Sequence, residues 1–169
     1  VYTEDDYPDR VSNAYWVAIN DQSSQSFLTT SQYRLTSIEL YLSSAPYLVE
    51  EGLLSDEYFI DIYAADENKK PTGPVLTTAR LSATNYSPEP PRVYQEGVPG
   101  WYAFEFFTNY AILSDATHYC IVIRSNFSSG TEARIGYSDD ASLSGTAFRS
   151  LDKASTWDNT YLGGFNFAF

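Results

Sequence analysis

Few side chains here are of the kinds that carry out covalent chemistry. The only histidine, His118, and the only cysteine, Cys120, stand two residues apart in the apolar run His118-Tyr119-Cys120-Ile121-Val122-Ile123. No nucleophile lies at motif spacing from His118, so a structural histidine at a strand edge is expected rather than a base. Cys120 reads as a small core residue, and a lone thiol closes no internal disulfide. Metal signatures built on His or Cys are absent. Three mid-strand acids, Glu39, Asp61 and Glu105, face away from their apolar neighbours. Two carboxylates meeting on a concave sheet would make a glycosidase. Alternation alone also places acids on an outer sheet face, and no glycosidase motif surrounds these three.

Binding chemistry is better represented. Asp66-Glu67-Asn68, Asp139-Asp140 and Asp158-Asn159 group oxygen ligands in turns, the donor set a structural Ca²⁺ takes. Asp66, Asp139, Asp140 and Asp158 are therefore the candidate cation ligands, against the plainer reading of solvated turn acids. Tyr86, Tyr94, Trp101, Trp157 and Tyr161 have flat faces of the kind that stack on sugar rings. Asn85-Tyr86-Ser87 and Asn126-Phe127-Ser128 are glycosylation triplets, making Asn85 and Asn126 candidate attachment sites.

The elements that must position these residues are short. Apolar runs of period two recur between Gly, Pro, Asn, Asp and Ser, and no window carries a helical stripe. Strands are predicted at Ala14–Ile19, Gln25–Thr29, Arg34–Leu42, Tyr58–Ala64, Val75–Leu81, Trp101–Phe107, Tyr119–Arg124, Arg134–Ser138, Ala147–Ser150 and Phe165–Phe169. Ile38, Leu40 and Leu42 share a face opposite Ser37, Glu39 and Tyr41, while Tyr119–Ile123 is apolar on both faces, as in a central strand. The expected fold is all-β: a two-sheet antiparallel β-sandwich of jelly-roll type. Its parts are an arm and first strand over residues 1–24 and a sandwich over 25–169. Two long loops, Ser43–Glu57 and the Tyr- and Pro-rich Asn85–Gly100, either cap the open ends of the sandwich or bind something.

The most specific local signal is Ser150-Leu151-Asp152-Lys153-Ala154-Ser155-Thr156-Trp157. It is one residue away from the Asp-box pattern S-x-D-x-G-x-T-W and resembles the hairpin turns of sialidase propellers and many secreted β proteins. In such a turn the Asp accepts backbone N–H groups, Ser150 and Thr156 support it, and Trp157 packs beneath. Ala154 occupies the usual Gly position, where a left-handed backbone would be strained. An Asp-box is structural and is no evidence of catalysis.

A wider resemblance joins Gln25-Ser26-Phe27, Leu35–Leu40, Ile62–Asp66, Lys70–Leu76, Gly100–Phe106, Tyr119–Arg124, this turn and Phe165–Phe169. As a set they resemble the jelly-roll modules of secreted, surface-anchored bacterial and archaeal proteins of the choice-of-anchor kind, and of phage structural proteins. The resemblance implies a non-catalytic extracellular or virion module and transfers no functional site. It leaves out residues 1–24 and the Tyr-Pro loop.

Bulk composition agrees. Aromatic residues make up 17% and hydrophobic residues 43% of the 169-residue chain, which suits one β-rich core and rules out disorder. A net charge of −12 repels phosphate backbones and anionic bilayers, and no run is long enough to span a membrane. The chain opens on Val1 and holds no Met, from which a processed, exported product is expected. The function expected is that of a subunit of a surface filament, sheath or virion. Its partners would be further copies or other surface proteins, reached through an arm whose strand contains Tyr15, Trp16, Val17 and Ile19. A carbohydrate-binding module is the alternative, and a glycosidase a more distant one.

Overall fold

Runs of β-branched and aromatic residues fit a pleated sheet, and every segment predicted as a strand contains one. A computed structural model describes residues 13–17, 22–44, 58–81, 100–106, 110–125, 133–138, 145–158 and 166–167. In chain order the strands are β1 (Asn13–Val17), β2 (Gln22–Leu28), β3 (Tyr33–Arg34), β4 (Ser37–Ser44), β5 (Tyr58–Ala65) and β6 (Pro71–Leu81). They continue as β7 (Gly100–Glu105), β8 (Ile112–Leu113), β9 (His118–Ser125), β10 (Ala133–Ser138), β11 (Ala147–Ser150) and β12 (Asn166–Phe167). No helix occurs among the described residues, and all the strand pairings are antiparallel.

One sheet runs β1-β10-β4-β7, with β12 also on β10; a second runs β11-β2-β9-β5-β6; β3 and β8 form a small third. In the second sheet Ile60 stands opposite Ile123 and Ile62 opposite Ile121, so these four share one face, and all are buried. Burial of such a side chain is worth about 1.5–3 kcal/mol over leaving it in water. Ile38 and Leu40 of β4 and Phe104 of β7 supply buried apolar groups from the first sheet. Glu39 and Glu105 are exposed, as alternation requires.

β2 departs from that rule. Ser23, Ser24, Gln25 and Ser26 have no accessible surface, although none is apolar. β2 is an inner strand, with β9 on one side and β11 on the other, so both its backbone edges are covered. Buried polar groups need partners. Ser26 Oγ accepts the Thr146 N–H at 2.8 Å, and Ser26 N–H donates to Thr146 O at 3.0 Å. Gly145 makes this approach feasible, since a Cβ there would strike the Ser26 carbonyl and the Gln25 side chain. Because β2 begins at Gln22, the division expected between residues 24 and 25 falls inside a strand.

Candidate functional site

The Asp-box-like turn is built by its own side chains. Ser150 Oγ is buried, donates to Asp152 Oδ1 at 2.8 Å and accepts the Ala154 N–H at 2.8 Å. Asp152 Oδ1 accepts the Thr156 N–H at 2.8 Å, and its Oδ2 accepts the Thr156 hydroxyl at 2.7 Å. Those bonds, the Thr156 N–H first, hold the Asp152 carboxyl below its ordinary value although it is exposed. Asp158 and Arg149 exchange backbone bonds of 2.8 and 2.9 Å, closing the hairpin at the edge of β11. Lys153 and Ala154 both take positive φ, 58° and 66°. Trp157 is half-buried.

Of the candidate cation ligands, Asp66 and Asp158 are among the described residues. Asp66 Oδ1 caps the β5–β6 turn by accepting the Asn68 and Lys70 N–H groups at 2.9 and 2.8 Å. Asp158 is exposed in the hairpin just described. Among the described residues no three His, Cys, Asp or Glu side chains cluster as metal ligands. Asp139, Asp140 and Asn159, the triplet asparagines Asn85 and Asn126, and the aromatics Tyr86, Tyr94 and Tyr161 all lie outside the described residues. Trp101 is described only as a β7 backbone position opposite Tyr41.

Of the three mid-strand acids, Glu39 and Glu105 are diagonal neighbours on one face of the first sheet, since Glu105 stands opposite Ser37, and only Asp61 lies apart. Glu39 and Glu105 belong to the first sheet, Asp61 to the second. Asp61 is only 2% exposed and ion-paired with Arg124, whose Nε and Nη2 donate to its two carboxylate oxygens; the Thr78 hydroxyl adds a 2.6 Å bond. The guanidinium carbon lies 4.2 Å from the Phe59 ring centroid, an arrangement that adds cation–π attraction. Burial, and then the Asp61 charge, pushes the Tyr63 hydroxyl up. On the same face Cys120 is buried, its Sγ donating to Lys69 O at 3.3 Å, and burial pushes its thiol up to about 12. Ser24 Oγ is buried without a well-formed hydrogen bond, its neighbour being that thiol. His118 is half-buried, with an unpartnered Nδ1.

The candidate assembly strand pairs within its own chain. β1 lies antiparallel to β10 from Asn13 opposite Tyr137 to Val17 opposite Ala133, at the outer end of its sheet. Ile19 lies outside the described residues. At the edge of the second sheet β6 carries a wide bulge. Ile62 faces Thr77 and Ala64 faces Thr72, so residues 73–76 stand opposite Tyr63 alone. Gly73 turns this bulge at a φ of 72°, and Val75 and Leu76 are left exposed.

A further feature is built mostly from one stretch of chain, Phe27 to Glu39, closed by the distant Ile121. A cleft of about 400 Å³ opens between the β2–β9 part of the second sheet and the start of β4. Its lining comes from both large sheets, β2 and β9 of one and β4 of the other, with Tyr33 of β3. Compared with protein-family models, curated proteins and solved structures, the chain matches none.

Proposed function

We propose that this chain is a non-catalytic structural module of a surface filament, sheath or virion, acting outside the cell. Its two five-stranded sheets make a jelly-roll sandwich, and copies join by strand exchange at an open sheet edge. The observation that carries this reading is the place of β1: five residues at the outer end of a sheet, paired among the described residues with β10 alone. An edge strand is held on one side only, and the edge beneath it accepts any chain of the right register. A neighbour's residues 13–17 would make the same ladder.

Two further features support the reading. Strands alternate between the large sheets along most of the chain: β1, β4, β7, β10 and β12 in one, β2, β5, β6, β9 and β11 in the other. Such crossing is what a two-layer jelly roll needs. Of the acids a glycosidase would use, Asp61 lies in the other sheet from Glu39 and Glu105 and is engaged by Arg124.

Deleting residues 1–20 tests the proposal, with size-exclusion chromatography, light scattering and electron microscopy as readouts. The full chain should form a repeating particle and the truncated chain a folded or open-edged species that forms none. A truncated chain that builds the same particle contradicts exchange.

A further inference from the structure

We infer that the cleft between β2, β9 and the start of β4 binds a neutral hexopyranose unit of a glycan. This site is independent of the assembly proposed above and uses none of the aromatics the sequence singled out. At about 400 Å³ the cleft lies within the range of small-ligand pockets, roughly 300–1,000 Å³.

Its lining is graded. Leu35, Ile38 and Ile121 form a buried apolar floor, with exposures of 8%, 9% and 1%. Phe27, half-buried, and Tyr33, 38% exposed, are aromatic walls. Ser37 and Glu39 are exposed and place a hydroxyl-bearing and a carboxylate-bearing residue at the mouth.

The walls are held from behind. The Phe27 and Tyr119 rings lie 6.0 Å apart at 33°, and the Tyr119 hydroxyl accepts the Ser114 N–H at 2.9 Å. Tyr33 is placed by its pairing with Leu113, which is fully buried. Burial, and then Tyr119, pushes the Tyr33 hydroxyl up.

A pyranose matches this gradient. Its C–H face is apolar and packs on aromatic rings, while its hydroxyls need donors and acceptors at the edge. A carboxylate accepts from two hydroxyls at once. Anionic sugars meet both that carboxylate and a net charge of −12. A cationic ligand would have to lay its charge over an apolar floor.

The test is calorimetric titration of the full chain with methyl glucoside, methyl galactoside and N-acetylglucosamine, with sodium glucuronate as the anionic comparison. At least one neutral sugar should bind saturably at a single site with a Kd on the order of 1 mM, and glucuronate about tenfold more weakly. Glu39→Gln and Tyr33→Ala should each weaken binding about tenfold, and Glu39→Gln should leave the melting temperature unchanged. Ser37→Trp, at an exposed position in the mouth, should block the cleft without touching the core. No saturable binding up to about 50 mM overturns the inference, as does binding undiminished in Glu39→Gln and Ser37→Trp.

Discussion

Ala154 sits at a φ of 66° in the second of two successive left-handed positions. Its Cβ is strained there, and the turn tolerates it because Ser150 Oγ holds the Ala154 N–H and Asp152 holds Thr156. Ala154→Gly should therefore raise stability by about 1 kcal/mol in urea unfolding, the strain relieved outweighing the entropy glycine gains when unfolded. A loss would mean that the methyl group packs usefully. Cys120 makes a second test at this scale. Its thiol, pushed up to about 12, is neutral in the fold, whereas an unfolded thiol ionises near pH 8.5. The stability gained from keeping it neutral is complete below that value and falls as pH rises above it. Ellman's reagent should find no thiol in the native chain at pH 8 and one in guanidinium. Fast labelling of the native chain would contradict the burial.

At the scale of elements, what was legible is what alternates. Ser37–Leu40 and the apolar run of β9 fell where their patterns put them, and each predicted strand overlaps an observed one. β3 and β8 are two residues long, too short for a period to register. β6 starts at Pro71, not Val75, because Pro71 and Pro74 read as breakers yet are tolerated at a sheet edge and in a bulge. β2 gave no sign of burial because Gln22–Ser26 is polar throughout, although it is an inner strand between β9 and β11. The Ser150–Trp157 turn was legible because its hydrogen bonds are local. The Asp61–Arg124 pair was not, since it joins strands far apart in sequence, and the cleft was not, since the stretch from Phe27 to Glu39 closes only against Ile121 of β9. Arg124→Ala should cost about 3 kcal/mol in chemical unfolding, at the low end for a broken buried pair because Arg124 is a third exposed. Asp61→Asn, which keeps an acceptor for Thr78, should cost less. Equal costs would contradict this, because Asp61→Asn keeps the packing and removes only the charge, so the charge pairing alone would carry the whole loss.

For the whole molecule, the claim is that β1 is exchanged between copies. Ala14 stands opposite Gly136 in the β1–β10 ladder. Directly opposed positions carry Cβ atoms roughly 4.5–5.5 Å apart, close enough for a disulfide after small adjustment. Chains carrying Ala14→Cys are mixed with chains carrying Gly136→Cys, unfolded, refolded together, oxidised and run on a non-reducing gel. The native Cys120, buried, takes no part. A single chain with both substitutions provides the reference that the bond can form. Exchange predicts a covalent heterodimer of the two variants wherever the particle forms. A doubly substituted chain that closes on itself while the mixed chains give no heterodimer would contradict it.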